Sequence, residues 1–299
     1  MSGSRLIPAR SSTIGGMPWT SPTLRRRELS ARLKELREKA GIDVAAAAEA
    51  LGCSTDKIHW IERAEWNRPR WRDVRDLLDR YGVTNERLRN YLLQLARDSG
   101  QQDWWHPYKA MLSETYTTYI AFEGEAEELL TFELAVIPGL LQTENYARAL
   151  NREGPAELGA DEIEERVKVR AERQRILERP DPVRLFAVID EAALRRKVGG
   201  DEVMRDQLQH LVDMAAHPKI TIQILPFAAG PHPGTGGRFT ILTFPGAATP
   251  DAVYIATIAG ELLIESGGVD RYRSVFRRLN AKALSPEDTI AMIHNTMRD

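Results

Sequence analysis

The sequence predicts an α+β chain in two unequal parts: an all-α N-terminal domain of five short helices over residues 24–100, then a larger mixed α+β domain over 101–299. Three observations carry that prediction. From Leu24 to Gly100, apolar residues recur at helical spacing and each run is stopped by a turn signal. Beyond Gly100, short β-branched runs alternate with amphipathic stretches, the pattern of a sheet with packed helices. Finally, 299 residues exceed the roughly 150 that one domain usually holds.

The first helix carries Leu29, Leu33, Leu36 and Ala40 and ends at Gly41. Asp43 caps a second, alanine-rich helix whose inner face is Val44, Ala47, Ala48 and Leu51, closed by Gly52. Ser54 caps a third, from Thr55 to about Arg63; Ile58 and Ile61 point inward, leaving Thr55, Asp56, Lys57, His59 and Trp60 on other faces. The fourth carries Val74, Leu77, Leu78 and Tyr81 up to Gly82, and the fifth Leu88, Tyr91, Leu92 and Leu95. Trp104, Trp105 and Pro107 suggest an aromatic-anchored connection, because tryptophans usually need burial. A helix around Tyr116–Ile120 leads to a strand, Leu129–Ile137, stopped by Pro138 and Gly139. Thr143 caps a short helix, and residues 161–179 form a long charged one closed by Pro180. Strands follow at 183–189, 220–225, 238–244, 252–258 and 262–264, with helices at 191–198, 201–216, 272–279 and 287–297.

Composition narrows the function classes. No apolar run approaches the ~20 residues that span a bilayer, and residues 1–23 read as a flexible leader without the apolar centre of a secretory signal. Cys53 is the single cysteine, so no intrachain disulfide or thiolate-rich metal site can form, and a cytoplasmic location is expected. The net charge of −2 hides an asymmetry: residues 1–100 hold 19 Lys and Arg against 13 acids, and residues 101–299 hold 22 against 30. The basic third suits a polyanion, although Arg25, Arg26 and Arg27 equally suit the solvated start of a helix.

Two helices joined by a tight glycine-containing turn, the second beginning with short polar residues, have the form of a helix-turn-helix. Such a unit reads the DNA major groove, which is about 12 Å wide and admits one helix. Asp43 to Glu62 fits, with Thr55 and Asp56 toward bases, Lys57 toward phosphate and Trp60 one turn along. Trp60 is equally suited to packing against the fourth helix or Trp66. The run LKELREKAGID, AAAEALGCSTDKIHWIER, Asn67-Arg68-Pro69 and DVRDLLDRYGV resembles the XRE family of helix-turn-helix regulators over residues 29–95. The resemblance implies double-stranded DNA as partner, base contacts at Thr55, Asp56 and Trp60, and backbone contacts from Trp66 to Arg70, including Asn67, Arg68 and Arg70. Three positions depart from that pattern: Val44 replaces a phosphate-binding glutamine, Ala64 a glycine, and Asp56 places an acid at a reading position. An acid there repels phosphate but accepts from cytosine N4.

Pro138-Gly139-Leu140-Leu141-Gln142-Thr143, Glu165-Arg166-Val167 through Arg173 and Gln174, Asp190 through Arg196, and Leu225-Pro226-Phe227 resemble the uncharacterised domain that follows the helix-turn-helix in many actinobacterial antitoxin-like or developmental regulators. That resemblance implies a small partner protein of the BldB-like type, encoded nearby. Enzymatic readings are weak. The glycine-rich run Gly230–Gly237 joins two strands, whereas a phosphate loop should open a helix. Asp190 and Glu191 suit a helix start better than catalysis, and His232 lies between prolines with no HExxH pairing in the chain. Arg166, Arg170 and Arg173 suggest a nucleic-acid arm, but Glu162, Glu164 and Glu165 favour a salt-bridged exposed face or a partner surface. The expectation is a homodimeric, non-enzymatic DNA-binding regulator without cofactor or metal. An adaptor or antitoxin that chiefly binds a small partner protein is the alternative. A small-molecule sensor fits a mixed domain, but no convergent polar site stands out in the sequence.

Overall fold

In the computed structural model, residues 22–66, 69–99, 103–154, 158–245, 250–265 and 267–298 are described. The five helices are α1 (Pro22–Lys39), α2 (Val44–Leu51), α3 (Thr55–Glu62), α4 (Trp71–Arg80) and α5 (Glu86–Asp98). Asp43, Ser54 and Asn85 cap α2, α3 and α5 by accepting from backbone N–H groups of the first turn. Leu29 and Leu33, Ala47 and Ala48, Ile58 and Ile61, Val74 and Leu78, and Leu92 close one core. The small side chains of α2 let α3 and α4 approach it, as its alanine-rich sequence requires. The leader expected over 1–23 gives way to helix at Pro22; the residues before it, and Gly100 at the expected boundary, lie outside the described residues.

The second part is a six-stranded sheet, β1 (Glu128–Glu133), β2 (Arg184–Asp190), β3 (Ile220–Leu225), β4 (Phe239–Thr243), β5 (Ala252–Thr257) and β6 (Gly260–Glu265), ordered β3-β2-β1-β4-β5-β6. The first three strands are parallel and the last three antiparallel. The parallel strands need helical crossovers. These are α7 (Glu144–Arg152) with α8 (Ala160–Gln174), then α9 (Glu191–Arg195) with α10 (Asp201–Ala215). Alternation along each strand divides the sheet into two faces. Leu129, Leu185, Ile222 and Tyr254 face a core shared with α6 (Glu114–Glu125), α7, α10 and α12 (Pro286–Thr296). Phe132, Val188, Ile241 and Val253 face α11 (Val269–Asn280) through Phe276 and Leu279.

Several boundaries shift for physical reasons. The strand expected over Leu129–Ile137 stops at Glu133, where its ladder with β2 ends, one residue after its ladder with β4 ends at Phe132. The chain then bends so that Ile137 is buried, its N–H donating to Tyr146 Oη at 3.2 Å. The helix expected to reach Arg179 ends at Gln174 and tightens into a 3-10 turn at Arg175–Leu177. Trp105 is buried whereas Trp104 is 37% exposed, so one tryptophan of the pair anchors the connection.

The arginine triplet of α1 neither lies free for a polyanion nor merely solvates a helix start. Arg25 pairs with Asp98 at 3.1 Å, and Arg27 pairs with Glu265 of β6 at 2.6 Å while its guanidinium lies over the Phe122 ring of α6. Burial lowers the pKa of Arg26, against the attraction of Asp103. Part of the basic charge of the first domain thus faces acids, two of which, Asp103 and Glu265, lie in the second.

Candidate functional site

The turn between α2 and α3 rests on Gly52. It sits at φ +58° and donates its N–H to the carbonyls of Ala48 and Glu49, a conformation that costs a residue with a Cβ about 1 kcal/mol or more. Ser54 Oγ then accepts from Lys57 N, and α3 begins. Ile58 and Ile61 are fully buried, so their spacing fixes which face looks outward. That face carries Thr55, Asp56, His59, Trp60 and Arg63, all exposed. Thr55, His59 and Arg63 follow at four-residue intervals, and Asp56 stacks one turn below Trp60. His59 and Arg63 were not expected as contact residues, although the same spacing from Thr55 signals them.

A buried ion pair holds this helix in place. Arg37 of α1 donates through Nε and Nη2 to the two carboxylate oxygens of Glu62 at 2.5 and 3.1 Å, and through Nη1 to the Ile42 carbonyl at 2.9 Å. The side chains are 10% and 7% exposed. Hydrogen bonding to Glu62 raises the Arg37 pKa, so the fork stays charged. Trp66 Nε1 donates to Ser30 Oγ at 3.0 Å inside the core and fixes the chain leaving α3.

The other expected contact residues fare unequally. Trp60 is 39% exposed and belongs to no buried cluster among the described residues. Lys57, expected to face phosphate, instead donates to Asp73 in the first turn of α4 at 2.9 Å, because α3 and α4 both pack on α2 and this brings the two side chains within reach. Arg70 is exposed immediately before α4, whereas Asn67 and Arg68 lie outside the described residues. Beside Arg70, Trp71 is 40% exposed beneath the guanidinium groups of Arg72 and Arg75, at 5.9 and 5.3 Å. No sequence motif marks this cation and aromatic cluster, whose members adjoin only once α4 is wound.

In the second domain, Asp190 caps α9 by accepting from Ala192 N at 2.9 Å and lies 3.5 Å from His232 Nε2. Glu191 accepts from Phe227 N at 2.8 Å and pairs with Arg195. Asp190 thus meets the glycine-rich loop at His232, and Glu191 holds the 3-10 turn that precedes it. That loop packs so closely that a Cβ on Gly234 would lie 2.3 Å from the Phe132 ring.

The charged helix α8 corrects the expectation of an exposed face. Arg166 does pair outward with Glu162 at 3.0 Å. Arg170 and Arg173 instead turn inward, onto a cavity of about 130 Å³ between α6, α8 and the sheet. Arg173 donates to both oxygens of Glu123 at 2.7 Å and to Tyr116 Oη at 2.6 Å. Burial opposes its charge, yet Glu123, Tyr116 and Tyr119 outweigh it and hold its pKa well above the ordinary value. The sequence hid this convergent polar site because its members come from β1, β4, α6 and α8, far apart along the chain.

A family model described as a helix-turn-helix domain matches residues 28–92, and one described as a domain of unknown function (DUF5753) matches residues 116–295. No curated protein and no solved structure matches the chain. Among the described residues, no helix is long and apolar enough to cross a membrane.

Proposed function

Because the chain belongs to the DUF5753 family and joins that domain to a helix-turn-helix, we propose that it is a sequence-specific transcriptional regulator that lays α3 in the DNA major groove. The observation that carries this reading is the α3 face: Thr55, Asp56, His59 and Trp60 point outward from a helix locked from behind by Ile58, Ile61 and the Arg37–Glu62 pair. Thr55 and Asp56 read base edges, Asp56 by accepting from cytosine, while Arg70 and Arg63 meet phosphates. Lys57 reaches phosphate only by releasing Asp73. One such module buries little DNA surface, so a homodimer on two half-sites is proposed. The protein acts by binding rather than catalysis, in the cytoplasm.

Gel-shift titrations on its own promoter region at several salt concentrations test this. Arg70→Ala is expected to weaken binding to every sequence and to shallow the logarithmic salt slope by about one. Asp56→Ala should alter preference at one base pair without changing that slope downward. Binding with no sequence preference would sink the proposal.

A second reading, an adaptor that chiefly holds a small partner protein as antitoxins do, is favoured by the β5–β6 hairpin, where Ile258 is 97% and Leu262 57% exposed. Apolar side chains this exposed suit a protein contact. Co-purification with the product of the neighbouring gene, lost in Ile258→Asp, distinguishes it.

A further inference from the structure

The cavity under α8 contains two ionisable groups that the protein leaves half-satisfied. Arg170 donates through Nη1 to Gln142 Oε1, but its Nε is enclosed and has no partner among the described residues. Glu133, at the end of β1, has Oε1 3.8 Å from Arg238 Nη1, and its Oε2 is likewise enclosed and unpartnered. An unmade hydrogen bond at a buried polar atom costs about 1–3 kcal/mol, more when the group is charged. The obvious remedy would be a direct Arg170–Glu133 pair. Among the described residues no hydrogen bond or ion pair joins these two, although both line the cavity. Arg173, which also lines it, is fully engaged by Glu123 and Tyr116 and cannot complete either group.

The remaining walls define what would fit between them. Leu129, Ile137, Leu140 and Phe239 are apolar, and the rings of Tyr116 and Tyr254 close one side. Thr131 and Thr240 satisfy each other across the floor at 3.1 Å. An engineered apolar cavity of about 150 Å³ holds benzene. A space of about 130 Å³ is therefore suited to a molecule of similar bulk. Arg238, with a side chain 45% exposed, marks the side open to solvent and adds positive charge there.

We propose that this cavity is a binding site for a small organic acid that also carries a hydrogen-bond donor, its carboxylate taken by Arg170 and its hydroxyl or ammonium group by Glu133. Such a molecule supplies an acceptor at one end and a donor at the other, matching the two atoms left open. A simple anion would complete Arg170 alone, and an apolar molecule neither.

Thermal-shift and calorimetric titrations of the full chain without DNA, at pH 8 where the Glu133 carboxyl is ionised, test the site independently of the DNA-binding proposal. The probes are lactate, L-serine, L-aspartate and 4-hydroxybenzoate, with acetate and toluene as controls. At least one donor-bearing acid is expected to bind and raise the melting temperature more than either control. Glu133→Gln should weaken that acid about five- to tenfold while leaving acetate unchanged, and Arg170→Met should abolish both. Should Arg170→Met fail to fold, the nearly isosteric Glu133→Gln decides alone. The proposal is overturned if none of the four acids binds at millimolar concentration, if toluene binds best, or if binding is indifferent to Glu133→Gln.

Discussion

The two domains use buried arginine in opposite ways. In the helix-turn-helix, Arg37 spends its Nε, Nη1 and Nη2 on Glu62 and Ile42, and the result is a fixed angle for α3. In the larger domain, Arg173 is equally saturated, but Arg170, one helical turn before it, is left with an open donor in the same cavity as an unpartnered oxygen of Glu133. A saturated pair serves architecture, since nothing remains for a visitor to bond. An unsaturated one carries a standing cost that a ligand can remove. The difference separates a helix-turn-helix face held from behind by a closed ion pair from an interior in which two polar atoms remain open.

The largest expected effects come from breaking the saturated pairs. Arg173→Met keeps the stem but leaves the Glu123 carboxylate, 1% exposed, without its cationic partner, Tyr119 alone still donating to it. A loss of about 3–5 kcal/mol in urea unfolding is expected. Glu62→Ala should cost less, about 2–4 kcal/mol, because Arg37 keeps its bond to Ile42 and lies nearer solvent. If Arg170→Met is as destabilising as Arg173→Met, the contrast between saturated and open arginines fails.

A smaller effect separates the open site by pH. Burial pushes the Glu133 carboxyl up to about 7, against the lowering influence of Arg238 and Arg170. Its pKa is raised on folding, so the folded state holds the proton more tightly than the unfolded one. The contribution is complete below about pH 4.5 and is lost as pH rises to about 7, for a total of up to about 3 kcal/mol. Chemical denaturation between pH 5 and 8 should therefore show wild type losing stability relative to Glu133→Gln, with the difference levelling above neutrality. A parallel pair of curves would remove Glu133 as a half-satisfied group.

Much of the first domain was legible because its signals are local. Caps at Asp43 and Ser54, glycines after α1, α2 and α4, and Ile58 with Ile61 three residues apart fix helix and face within a short window. The strands were legible in kind but not always in extent, since the end of β1 depends on where its partners β2 and β4 stop. The fate of Arg170 and Arg173 was not legible. On α8 they look like members of a charged helix, and only the return of β1, β4 and α6 to the same place encloses them. Lys57 shows the same limit on a smaller scale: its charge suggests phosphate, but the packing of α4 supplies Asp73 first.

The smallest expected effect concerns Ala64, just after α3. Ala64 N donates to the Ile61 carbonyl and Glu65 N to the Trp60 carbonyl, both at 3.1 Å, a helix end in which the intervening residue takes a left-handed conformation. Ala64 does so at φ +59°, the one such non-glycine among the described residues, whereas Gly52 after α2 adopts the same geometry freely. An L-residue there costs about 1–2 kcal/mol, partly offset because alanine restricts the unfolded chain more than glycine does. Ala64→Gly should therefore stabilise the chain by about 0.5–1 kcal/mol in urea unfolding, and Gly52→Ala should destabilise it by a similar amount. DNA affinity should stay constant in Ala64→Gly, because Arg37 and Trp66 already fix the helix from behind. A change in affinity without a change in stability would mean that the strained residue, rather than the buried pair, sets the angle of α3.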